Sequence, residues 1–81
     1  MRLLVTGGSG FIGSAFIRLT IKSEPDTEVL NFDSLTYAGN LENLTEVAEN
    51  NRYRFIKGNV VDPQAVDRTI VEWQPDAIVH F

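Results

Sequence analysis

Between Arg2 and Thr6 the chain reads RLLVT, three consecutive apolar residues cut off by glycine. A short apolar run without alternation is the pattern of a strand buried on both faces, as at the centre of a parallel sheet. From Phe11 to about Lys22 the period changes. Ile12, Phe16 and Leu19 recur at helical spacing, Ala15 and Ile17 widen the apolar surface, and SEPD stops the helix. Residues 28 to 33, EVLNFD, predict a second buried strand, and SLTYAGN a loop with Gly39 and Asn40 as turn residues. A short amphipathic helix is expected around Leu41 to Val47. RYRFIK, residues 52 to 57, mixes charged and aromatic side chains and suits a sheet edge. Asp62 and Pro63 then form a helix start, the carboxylate as N-cap and proline at the first helical position. Val66, Ile70 and Trp73 carry that helix's buried stripe, Pro75 ends it, and AIVHF, residues 77 to 81, begins one more buried strand.

The order β-α-β-α-β-α-β implies an α/β fold: a parallel sheet with right-handed crossovers, doubly wound, with strand order 3-2-1-4. That order puts RYRFIK at an edge, as its composition asks. With 81 residues and 43% hydrophobic content there is room for one small domain at most. The apolar stretch at Phe81 has no helix after it, so residues 1 to 81 are expected to be the N-terminal part of a larger dinucleotide-binding domain, inactive and poorly covered when alone.

Composition narrows the function further. The chain carries 7 basic and 11 acidic residues, a net charge of -4, and the basic residues are scattered, which argues against a nucleic-acid or anionic-membrane surface. There is no cysteine for a disulfide or thiolate metal site. No signal-like N-terminus or membrane-length apolar run is present, so a cytoplasmic location is expected.

The candidate chemistry lies in VTGGSGFIGS, residues 5 to 14, which follows a strand and opens a helix. A phosphate-binding turn uses glycine for the tight turn, for close approach of backbone to pyrophosphate and for close helix packing. Gly7, Gly10 and Gly13 hold those places, and the amides over Gly10, Phe11 and Ile12 would face the pyrophosphate. Asp33 ends the second strand twenty positions beyond Gly13, where an acidic residue accepts from the adenosine ribose hydroxyls. The same carboxylate opposes a 2′-phosphate, since like charges at ~4 Å repel by about 4 kcal/mol at an effective dielectric near 20. NAD is therefore favoured over NADP. Asn31 reads as a satisfied polar residue, His80 as a hydrogen-bonded core histidine and Trp73 as core. No metal site is expected.

These motifs are similar to those of a known family. VTGGSGFIGS resembles the TGGxGFIGS cofactor turn of the extended short-chain dehydrogenase/reductases, and LNFDSLTYAGNLENL, YRFIKGNVVD and QPDAIVHF resemble the nucleotide-sugar 4,6-dehydratases within that superfamily. The resemblance implies an NAD-dependent lyase that takes hydride from C4 of a nucleotide-activated glucose, eliminates water across C5 and C6, and returns the hydride to C6. By position, Phe11 and Ile12 would contact pyrophosphate, and Asp33, Ser34, Leu35 and Thr36 would line the adenosine ribose. Asn59 and Val60 would flank adenine, and Phe81 would begin the segment passing the nicotinamide. The family usually has an acidic residue in place of Asn59, whose amide oxygen can still accept from the adenine amino group. The family's catalytic Tyr-x-x-x-Lys pair and Thr-Asp-Glu segment are expected beyond Phe81, so no catalytic residue is assigned. A nucleotide-sugar substrate and a homodimer are implied for the intact protein. A nucleotide-sugar epimerase and a noncatalytic NAD sensor are the alternatives on the same scaffold.

Overall fold

The computed structural model describes residues 1–34 and 41–81. Four strands, β1 (Arg2–Thr6), β2 (Glu28–Asp33), β3 (Tyr53–Lys57) and β4 (Ala77–His80), form one sheet in the order β3-β2-β1-β4. All three pairings are parallel. Helix α1 (Phe11–Ser23) links β1 to β2, and α2 (Pro63–Trp73) links β3 to β4. The expected sheet and strand order are thus the observed ones.

Alternate residues of β1 and β2 supply two cores, one on each face of the sheet. Leu3, Val5, Val29 and Tyr53 pack with Ile17 and Ile21 of α1 and with Leu44 and Val47. On the opposite face Leu4, Leu30 and Phe32 pack with Trp73, and Ala65, Val66 and Ile70 of α2 lie against them. Each such apolar side chain, once buried, contributes roughly 1.5–3 kcal/mol. Burial on both sides explains why β1 and β2 are apolar without alternation.

Two elements depart from the sequence expectation. Helix α1 buries Gly13, Ser14, Ile17 and Ile21, while Ile12 and Leu19 are 70% and 63% exposed. At about 100° per residue Ile12 and Leu19 lie on the side away from Ile17. The small residues Gly13 and Ser14 let that side of the helix approach the sheet, so the smaller face is the buried one. The expected helix at 41 to 47 is instead a 3₁₀ helix, Leu41–Leu44, followed by turns that still bury Leu44 and Val47. Strand β4, apolar as a buried strand would be, stands at the edge where the expected order 3-2-1-4 places it: among the described residues β1 is its neighbour, and Ile78 is 54% exposed. Val79 alone of β4 packs against the α1-side core.

The helix ends are closed differently. Asp62 caps α2 as expected, its Oδ1 accepting from the amides of Gln64 (3.1 Å) and Ala65 (3.3 Å). The C-terminus of α1 is closed by Arg52, which donates to the carbonyls of Ile21 (2.7 Å), Glu24 (2.8 Å) and Thr27 (3.0 Å). That arginine ties the start of β3 to the far end of α1. Among the described residues no helix is long and apolar enough to cross a membrane.

Candidate functional site

The parallel register brings the C-terminal ends of three strands together, with Thr6 beside Phe32 on one side and His80 on the other. In doubly wound sheets ligands occupy the crevice at such ends, where the strand order reverses. Here a cleft of about 180 Å³ is walled by Gly7, Asp33, Ser34, Val60, His80 and Phe81. Larger grooves of about 540 and 560 Å³ run along α2 and α1, away from the strand ends.

The glycine turn shapes one wall. Gly7 leaves β1 at φ +73°, in the left-handed region that side chains disfavour, and its amide donates to the Phe32 carbonyl (3.2 Å). Gly13, in the first turn of α1, comes so near that an added Cβ would lie 2.5 Å from the Gly7 carbonyl oxygen. Gly10 is the N-cap of α1 and offers no side-chain cap, and no acidic residue stands in the helix's first turn. This contrasts with α2, whose own carboxylate caps it. Uncapped first-turn amides on a glycine turn form a cradle for an anion. Phe11 and Ile12 stand exposed at that cradle, at 85% and 70%.

Asp33 also lines the cleft, and its Oδ2 accepts from the Ser9 amide at 2.8 Å. The carboxylate is thereby fixed beside the glycine turn, with Ser34 half-buried next to it. Ser9 is fully buried, and its hydroxyl accepts from Asn31 Nδ2 (3.0 Å), which also donates to the Tyr53 hydroxyl (3.2 Å). Asn31 is thus a structural residue, although its Oδ1 is buried without a partner among the described residues. Burial raises the Tyr53 phenol above its ordinary pKa; the Asn31 hydrogen bond lowers it by less, and the nearby Asp33 charge adds the smallest contribution, upward.

The remaining expected site residues divide. Val60 and Phe81 border the cleft, and the Phe81 ring packs on Phe16 with centroids 5.4 Å apart. The Asn59 amide oxygen accepts from the Val61 amide (3.0 Å), so it also serves its own loop, and one acceptor site remains. Leu35 and Thr36, with the loop residues Tyr37, Gly39 and Asn40, lie outside the described residues. His80 is hydrogen-bonded through Nδ1 to the Thr6 hydroxyl, but its side chain is exposed rather than in the core. Tyr53 and Lys57 happen to match Tyr-x-x-x-Lys, yet they sit on a strand, where four residues span roughly 13 Å. They cannot serve as the helical catalytic pair. Ser9 and Asn43 escaped the sequence reading, because a serine inside a glycine motif and an asparagine in a polar turn carry no distinguishing signal.

Comparison with known proteins agrees with this geometry. The dTDP-glucose 4,6-dehydratase of Salmonella typhimurium is 50% identical over 81 residues, all of this chain and 22% of that protein. Its counterpart from Neisseria meningitidis serogroup B is 52% identical over 80 residues, 99% of this chain and 22% of that protein. Among solved structures, the Bacillus anthracis dTDP-glucose 4,6-dehydratase in complex with NAD superposes with a TM-score of 0.97 at 40% identity, covering all of this chain and 26% of that one. The UDP-Glc/GlcNAc 4-epimerase of Campylobacter jejuni gives 0.86 at 31% identity, over 99% of this chain and 23% of that one. The chain therefore spans about a fifth of the curated relatives it matches. Residues 4–81 match the GDP-mannose 4,6 dehydratase family, and the chain belongs to it.

Proposed function

We propose that this chain forms the part of an NAD-dependent nucleotide-sugar 4,6-dehydratase that holds the adenosine and pyrophosphate half of NAD, with dTDP-glucose as substrate of the intact enzyme. The observation that carries the reading is the placing of the Asp33 carboxylate, held by the Ser9 amide at 2.8 Å, beside a helix start that has no side-chain cap of its own. The residues fit the cofactor. Glycine at position 13 leaves the turn open, the amides near Phe11 and Ile12 receive the pyrophosphate, and Asp33 and Ser34 receive the ribose hydroxyls. Leu35 and Thr36 are assigned to the same ribose by the family resemblance alone, Asn59 and Val60 flank adenine, and Phe81 leads toward the nicotinamide. Bound there, NAD supplies reversible hydride acceptance, while this chain's residues orient it. Identity of 40% and more to dehydratases, against 31% to the epimerase, supports dehydration over epimerisation.

The test is a calorimetric titration of the full-length protein. Asp33→Ala is expected to weaken NAD by about 1–3 kcal/mol, through loss of charge-assisted bonds, while NADP weakens less or improves. Turnover of dTDP-glucose to a 4-keto-6-deoxy product by the parent protein completes it. Equal losses for both dinucleotides would remove Asp33 from the site, and absence of turnover would leave a binding module.

A further inference from the structure

Ser9 is fully buried and has each of its polar groups held by a different residue, two of them on β2 and one on the 3₁₀ helix. Its amide binds Asp33 Oδ2 at 2.8 Å, its hydroxyl accepts from Asn31 Nδ2 at 3.0 Å, and its carbonyl accepts from Asn43 Nδ2 at 3.1 Å. Asn43 is in turn anchored, because its own carbonyl accepts from Arg18 Nη1 of α1 at 2.6 Å. The 3₁₀ helix after β2, which lies outside the cleft, thus reaches the ribose-side carboxylate through one intervening residue.

We infer that Asn43 is a positioning residue for Asp33, acting through Ser9, and that it sharpens the choice between NAD and NADP without touching either. The inference rests on the dinucleotide reading above. Freeing the Ser9 carbonyl lets the peptide plane between Ser9 and Gly10 rock, and the Ser9 amide then holds Asp33 less rigidly. A mobile carboxylate pairs less well with two ribose hydroxyls and swings more readily away from a 2′-phosphate. Asn31 fixes the same residue from within the core, but its burial makes it the poorer probe. Asn43 is half-buried on the 3₁₀ helix, so alanine there disturbs the packing less than at the fully buried Asn31.

The experiment is a double-mutant cycle in the full-length protein, with NAD and NADP titrated into the parent, Asn43→Ala, Asp33→Ala and the double variant. Asn43→Ala is expected to raise the NAD dissociation constant about three- to tenfold and to leave that of NADP unchanged or lower. In the Asp33→Ala background the same change should alter NAD binding by less than about twofold, because the effect passes through the missing carboxylate. Equal weakening of both dinucleotides, additivity with Asp33→Ala, or no effect of Asn43→Ala on NAD would each overturn the inference. Those results differ from failure of the site itself, which shows as a parent that binds no NAD or as an Asp33→Ala variant that binds it undiminished.

Discussion

Replacing Gly13 with alanine separates the needs of the fold from those of the ligand. The new Cβ would lie 2.5 Å from the Gly7 carbonyl oxygen and 2.9 Å from Gly8 Cα, both backbone atoms that cannot rotate away. Since such contacts hardly ever fall inside 3.0 Å, the first turn of α1 must retreat by at least about 0.5 Å. Overpacking of this kind costs roughly 1–3 kcal/mol, and the better helix propensity of alanine returns about 1, so the net loss of stability is about 0–2 kcal/mol. Binding suffers more. The retreat pulls a first-turn amide away from the pyrophosphate, and loss of one hydrogen bond to a charged group costs about 1.5–3 kcal/mol, so NAD should weaken by about tenfold or more. Calorimetric titration beside a thermal melt of the full-length protein measures both. A lowered melt with undiminished NAD affinity would show that Gly13 serves helix packing alone.

Three further outcomes follow from contacts that do not line the cleft. Arg52→Ala removes two bonds to carbonyls at the end of α1 and one to the Thr27 carbonyl before β2, and should cost about 2–3 kcal/mol in denaturant unfolding, with NAD affinity unchanged; lysine should restore only part, because it lacks the planar fork. Asp62→Ala deletes the cap of α2 and should cost about 1 kcal/mol by the same assay; a loss below a few tenths would show the cap to be idle. Tyr53 ionises above its ordinary value of 10.0 in the folded chain, so its contribution is complete below that pH and is lost as pH rises through the raised value. Unfolding compared between pH ~9 and ~11 should therefore show a steeper alkaline loss for the parent than for Tyr53→Phe, and equal slopes would contradict the burial assigned to the phenol.

The sheet was legible because its signals are local and redundant. Apolar runs in RLLV and EVLNF, a glycine turn between them and an Asp-Pro helix start each limit the chain to one arrangement. The face of α1 was not legible in the same way. It carries two apolar stripes, and the one with bulkier residues loses because Gly13 and Ser14 permit closer contact with the sheet. Hydropathy alone does not register that gain. The turn at 41 to 47 misled for a related reason: its two buried residues, Leu44 and Val47, stand three apart and satisfy a 3₁₀ turn as well as an α-helix. At the site, Gly7, Gly13 and Asp33 were readable because the chemistry demands those residue types at that spacing. Ser9 and Asn43 were not, since their roles depend on contacts made across 24 and 34 positions of sequence.

Asn31 also bears on how the sheet finds its alignment during folding. It stands opposite Val5 on one neighbour and Phe55 on the other, the polar member of a strand whose middle is otherwise apolar. β2 could pair almost as favourably one residue out of step, because Val29, Leu30 and Phe32 satisfy either face. Such a slip would turn the Asn31 amide toward the face of Leu4, Leu30 and Trp73, where neither Ser9 nor Tyr53 waits to accept its protons. Each polar group stranded in that way costs about 1–3 kcal/mol, a penalty that the misaligned sheet carries and the native one largely avoids. A single amide therefore proofreads the pairing of a strand that hydrophobicity alone would leave free to slide.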